Sequence, residues 1–136
     1  MALAGIGQDG PALALLAPLA DSPLPSIAGA SLAKMGVIET RRRRMAKGMF
    51  LLQKAVETAS PSDGPGVAEV QADLGLTMLI QGQREEGLQW LQSARQGFAD
   101  TGDRHGLLQC LANEMKYHER FGDRKRLKPY TKRYSN

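Results

Sequence analysis

Cys110, His105 and His118 are the side chains of this 136-residue sequence best suited to chemistry at neutral pH. A thiolate can attack or ligate, and an imidazole can move protons or hold a metal. The two histidines stand thirteen residues apart, with no acidic or sulfur ligand at metal spacing. His118-Glu119 lacks the second histidine one helical turn away that a zinc-binding helix requires. Cys110 sits among apolar neighbours and reads as a small buried hydrophobe, and a single cysteine excludes an internal disulfide. Glu85-Glu86 adjoin a helix start, where carboxylates complement the helix dipole without any acid–base role. No Ser, Cys or His falls into a nucleophile context. Gly5-Ile6-Gly7 has no strand before it, and no glycine-rich loop leads into Lys-Ser or Lys-Thr. The sequence therefore predicts a non-enzyme with no catalytic, cofactor or metal site.

The remaining chemistry is charge. The net charge of +4 conceals segregation: residues 41–59 and 102–136 are each strongly basic, and residues 60–101 between them are acidic. Arg41, Arg42, Arg43 and Arg44 open the first basic zone. Arg124, Lys125, Arg126 and Lys128 dominate the second, interleaved with Tyr130 and Tyr134. Such zones suit an acidic protein face, RNA or anionic membrane headgroups, since cations neutralise phosphates and rings stack on bases. They also suit solvated helix surface.

The elements that must position these groups are helices. Apolar residues make up 42% and aromatics only 5%, which fits a leucine- and alanine-rich helical core better than a β-sandwich. Val, Ile and Thr never alternate with polar residues over a useful run. Residues 1–25 form an apolar arm whose closely spaced prolines predict irregular chain, with at most a helical turn near Ala12–Ala17. Its longest apolar stretch is too short for a transmembrane segment. Asp9, with no basic residue before the stretch, makes a poor secretory signal, so an intracellular or organellar setting is expected rather than secretion.

Residues 26–59 read as N-terminal helices, the first capped by Ser26 and the second running over 41–59. Four arginines at a helix start oppose the dipole, so either that helix begins upstream or an acidic group holds them. Residues 60–66 read as a linker. Three helices follow within 67–123, over 67–81, 84–98 and 104–121, separated by Gly82-Gln83 and Thr101-Gly102-Asp103. Residues 124–136 form a basic C-terminal tail.

Two spacings suggest repetition. Gly82 and Gly122 are 40 residues apart, and Met49, Leu52 and Ala55 recur as Leu88, Leu91 and Ala94 after 39. A helix–turn–helix unit of that period is a solenoid signature. The block resembles the tetratricopeptide repeat: Leu74-Gly75 matches the family's Leu-Gly pair, and Gly87, Leu91 and Ala94 match its small–large–small spacing. Gln71 and Met78 depart from the family's tryptophan and tyrosine. The resemblance covers one unit, about 68–101, with degenerate units on either side.

The resemblance implies an all-α fold of antiparallel helical hairpins, stacked as a short solenoid with a concave groove for a protein or peptide. Ala72, Leu76 and Leu79 on the corresponding helix cannot grip a carboxylate, which argues against a chaperone-tail adaptor. About two units are too few for a complete groove. The expected function is a non-catalytic protein–protein interaction module, a scaffold or accessory subunit of a larger complex. Leu76, Leu79, Ile80 and Trp90 are its candidate apolar contacts, and the arm and basic zones its anchors. The alternative is an RNA- or ribosome-associated helical protein using Arg41–Arg44 and the basic tail.

Overall fold

A computed structural model describes residues 9–59 and 64–121, and every element in them is helical. Helix α1 spans Asp9–Leu16 and leads through a 3-10 turn, Ala17–Asp21, into α2, Pro25–Arg41. Then come α3 (Met45–Ala59), α4 (Gly64–Ile80), α5 (Arg84–Thr101) and α6 (Arg104–Phe121). Helices α2 and α3 form one antiparallel hairpin and α4 and α5 a second. Helix α4 also packs on α2 and α3, and α6 packs on α5 and α4. Among the described residues no helix is long and apolar enough to cross a membrane.

Each hairpin closes on a pair of glycines. A Cβ on Gly36 would lie 2.9 Å from Gly48 O and 2.7 Å from Leu52 Cγ. A Cβ on Gly75 would lie 2.8 Å from Gly87 O and 2.9 Å from Leu91 Cγ. The reciprocal contacts match too: Gly48 faces Gly36 O and Thr40, and Gly87 faces Gly75 O and Leu79. Every partner is displaced by 39 residues, so the two hairpins share one crossing geometry. Backbones this close leave no room for a side chain.

The turns repeat in the same register. Gln83 N–H donates to Met78 O at 2.8 Å and Arg44 N–H to Glu39 O at 2.9 Å, each six-residue bond ending a helix. The left-handed residue inside is Gly82 (φ 89°) in the second hairpin and Arg43 (φ 69°) in the first. Helix α5 ends the same way, with Gly102 at φ 74° and Asp103 N–H donating to Phe98 O. Asp103 Oδ1 then accepts from Gly106 N–H at 2.9 Å and caps α6.

Helix α4 is the shared wall of two cores. Val70, Leu74 and Met78 join Leu32, Leu52, Ala55 and Val56 from the first hairpin. Ala68 and Leu79 face Leu91, Ala94, Phe98 and Cys110 on the other side. That double burial explains the broad apolar face of α4, where α5 shows a single stripe. Burying leucine and valine side chains here contributes roughly 1.5–3 kcal/mol each.

Several boundaries differ from the sequence expectation. Residues 9–21 are helical, not irregular, because Pro11 falls in the first turn of α1 and Pro18 in the first turn of the 3-10 segment, where no amide donor is needed. The arm packs on α2, with Ala12 buried, but Leu15, Leu19 and Leu24 stay exposed. Pro25 rather than Ser26 starts α2, after an extended Leu24. Helix α3 begins at Met45, not at residue 41, and α4 begins at Gly64, inside the expected linker. Residues 1–8, 60–63 and 122–136 lie outside the described residues, and with them the rest of the arm, the linker centre and the basic tail.

The crossings make a direct prediction. Gly75→Ala should lower unfolding stability by roughly 2–4 kcal/mol, because its methyl meets backbone that cannot yield. Gly10→Ala, whose Cβ meets nothing within 4 Å, should be neutral or stabilising by up to about 1 kcal/mol. Equal losses in urea melts of the two variants would show that the crossing is not the cause. Arg43→Gly should raise stability by about 0.5–1 kcal/mol by relieving the left-handed backbone, which a thermal melt can read.

Candidate functional site

Helix α4 packs on both α2 and α6, and a groove of about 340 Å³ is lined by residues of all three. Helix α4 lines it with Glu69, Ala72, Asp73 and Leu76, at steps of three and four residues that put all of them on one face. Helix α6 lines the facing wall with Gly106, Gln109, Cys110 and Asn113 in the same pattern, and His105 stands at its start. Helix α2 contributes Lys34, and Phe98 and Asp103 close the end near the α5–α6 turn.

The polar end of the groove is an ion triad. Lys34 Nζ lies 3.3 Å from Glu69 Oε1 and 3.7 Å from Asp73 Oδ2. The second contact is too long for a hydrogen bond, and Asp73 Oδ2 has no hydrogen-bond partner among the described residues. Burial pushes the Asp73 carboxyl up to about 6; the Lys34 charge opposes that rise and Glu69 adds to it. For Lys34, burial favours the neutral amine, but attraction from Asp73 and then Glu69 outweighs it and its pKa is raised.

The wall behind the triad is fixed. Glu114 on α6, 1% exposed, pairs with Arg95 on α5. Burial raises the Glu114 pKa, with Arg95 opposing. Cys110 is 2% exposed and its thiol donates to Leu91 O at 3.7 Å. Burial, then the nearby Glu114 charge, pushes that thiol up to about 11, so it remains protonated at neutral pH and is a poor nucleophile. Among the described residues no group of His, Cys, Asp and Glu is placed to hold a metal ion.

The residues expected to bind partners fall in several places. Leu76 lines the groove, half-buried. Leu79 does not reach the surface: it is 2% exposed against Gly87 in the second core, so its assignment as a contact residue is corrected. Trp90 packs against the first core, half-buried, and is not a free surface either. Ile80 is exposed.

The arginine run occupies the α2–α3 turn. Arg41 ends α2 and pairs with Asp9 at 3.2 Å. Glu39, 1% exposed, receives Arg42 at 3.5 Å, Arg44 at 3.8 Å and Lys47 at 3.0 Å. The acidic group that holds the cluster belongs to the chain itself, and the cations lie at the C-terminus of α2, where the dipole favours them. Arg124, Lys125, Arg126, Lys128 and Tyr130 lie outside the described residues.

Lys34, Glu69, Asp73, Gln109 and Asn113 were not singled out from sequence. One signal was present: Glu69 and Asp73 are like charges four residues apart on an otherwise apolar helix, an arrangement that weakens a helix. Compared with protein-family models, curated proteins and solved structures, the chain matches none.

The triad predicts a pH dependence. The folded-state pKa of Asp73, about 6, lies above its ordinary 3.8. The folded protein therefore binds an extra proton between those values, and this residue's contribution becomes more stabilising as pH falls through 6. Relative to Asp73→Asn, the wild-type chain should gain on the order of 2 kcal/mol between pH 7.5 and pH 4.5 in urea unfolding. A difference independent of pH would mean that Asp73 titrates as an exposed carboxylate.

Proposed function

We propose that this chain is a non-catalytic protein–protein interaction module, a short tetratricopeptide-like stack serving as an accessory or assembly subunit. Its groove across α2, α4 and α6 holds an extended segment of a partner protein. The observation that carries this reading is the groove itself: residues of α2, α4 and α6 line one concavity, with α4 and α6 each presenting a continuous face. The shared 39-residue register of crossings and turns supports the repeat-like arrangement. So does the packing order, in which α4 contacts α2, α3, α5 and α6.

The groove mixes an apolar strip, Ala72 and Leu76, with amides from Gln109 and Asn113. An extended peptide offers backbone donors and acceptors to such amides and side chains to such a strip. Exposed Leu15, Leu19 and Leu24 at the N-terminal end give a subunit a second apolar region to bury in an assembly. The first arginine cluster supports the RNA alternative poorly, because Arg41, Arg42 and Arg44 are engaged by Asp9 and Glu39.

Selection of a random displayed-peptide library on the full chain tests the proposal. Leu76→Arg places a bulky cation in the groove from a half-buried position and should leave the melting temperature within a few degrees. Peptides enriched on the wild type should lose about tenfold or more in affinity on this variant. Enrichment that is absent, or indifferent to Leu76→Arg, overturns the groove as the binding site.

A further inference from the structure

We infer that the groove is selective for a cationic segment, a lysine or arginine flanked by apolar residues in a partner protein. This rests on the reading of the groove as a peptide site and specifies what it accepts. The charges facing the cavity are Glu69 and Asp73 from α4, Asp103 from the α5–α6 turn, Lys34 from α2 and His105 from α6. Among the described residues the lining thus holds three carboxylates and one ammonium, and Lys34 pairs with Glu69 and Asp73. The one lining ammonium among the described residues is already divided between two acids, which leaves an anionic ligand no free charge there. A cationic one finds two carboxylates already held by a cation it can replace.

The geometry indicates where the incoming charge goes. Lys34 satisfies Glu69 at hydrogen-bond range but stops 3.7 Å from Asp73 Oδ2, a buried oxygen left without a hydrogen bond that a ligand reaches once Lys34 moves aside. The Lys34 side chain is 51% exposed, so its stem can swing towards solvent without opening a void in the core. A guanidinium offers a planar fork of donors able to engage Glu69 and Asp73 together; an ammonium would sit between them as a point charge. Leu76, one turn beyond Asp73, is placed for the apolar neighbour.

A charge-selective groove of this kind is also pH-selective. Protonating Asp73 removes the acceptor charge that the groove offers a cation. Affinity for a cationic segment therefore falls on acidification. Lys34 stays charged throughout the accessible range, and the Cys110 thiol stays neutral.

The test uses the library selected above on the full chain, followed by fluorescence anisotropy with the best labelled peptides. Enriched peptides should contain Lys or Arg beside an apolar residue. Their affinity should fall about tenfold on Asp73→Asn and on Glu69→Gln, and by a similar factor from pH 7.5 to pH 5. Groove-dependent peptides that are acidic or neutral, or cationic peptides indifferent to both substitutions, overturn the charge selectivity and leave the peptide site standing. Absence of any groove-dependent peptide overturns the site and this inference together. The full chain carrying Arg124→Gln, Lys125→Gln and Arg126→Gln separates a third outcome. If that chain binds cationic peptides about tenfold more tightly, the groove belongs to the chain's own basic residues, and a partner segment as its occupant is overturned.

Discussion

The close approach of backbones at the glycine pairs is the constraint from which the architecture follows. With Gly36 against Gly48 and Gly75 against Gly87, each hairpin closes until carbonyl oxygens stand where a methyl would otherwise be. Leu52 and Leu91 can then seat directly on the opposing glycine. That leaves each second helix flush with its first, and the outer face of the first hairpin becomes narrow enough for α4 to pack on α2 and α3 together. A wider crossing would tilt α4 away and separate Lys34 from Glu69 and Asp73. The ion triad joins α2 to α4 across that packing.

The turns obey the same logic under a different economy. Gly82 takes its left-handed position without strain, whereas Arg43 takes the equivalent position as a residue with a Cβ. What holds the first turn is charge: buried Glu39 sits beneath Arg42, Arg44 and Lys47, and the Arg44 amide also closes the helix on the Glu39 carbonyl. A buried carboxylate ringed by three cations costs desolvation but strongly disfavours any turn that would strand it. The first hairpin is specified by ion pairs where the second is specified by glycine.

This division explains what was legible in the sequence. Helices α5 and α6 were readable because their boundaries are written locally, in the Gly82 and Gly102 turns and the Asp103 cap. The 39-residue displacement was readable from Met49, Leu52 and Ala55 against Leu88, Leu91 and Ala94. The Gly36–Gly48 crossing was not, because a glycine inside a helix reads as weakness until its partner across the hairpin is known. Helix α1 was hidden by prolines whose first-turn placement is harmless. The arginine run is ambiguous in sequence because the acid that holds it, Glu39, lies upstream on the preceding helix. The groove was least legible of all, since Lys34, Asp73 and Asn113 come from three helices and each alone is an ordinary polar residue on a helix face.

The groove acquires its polar character where the register breaks. Continuing the displacement from Gly36 to Gly75 leads on to Glu114, so α6 cannot close on a further helix with the same crossing. Instead Glu114 turns towards Arg95 and ties α6 back onto α5, with Phe98 filling the space over Gly106. This fixes which face α6 shows to α4: Gly106, Gln109 and Asn113 line the cavity, and Leu111 and Cys110 are buried. A faithful third copy would carry a different set of side chains into the groove, because positions 67, 70 and 74 are their equivalents in α4 and are occupied by Val67, Val70 and Leu74. Where the register would put valine and leucine, α6 presents the amides of Gln109 and Asn113. The two carboxylates around Lys34 thus face an open, polar cavity instead of a packed core.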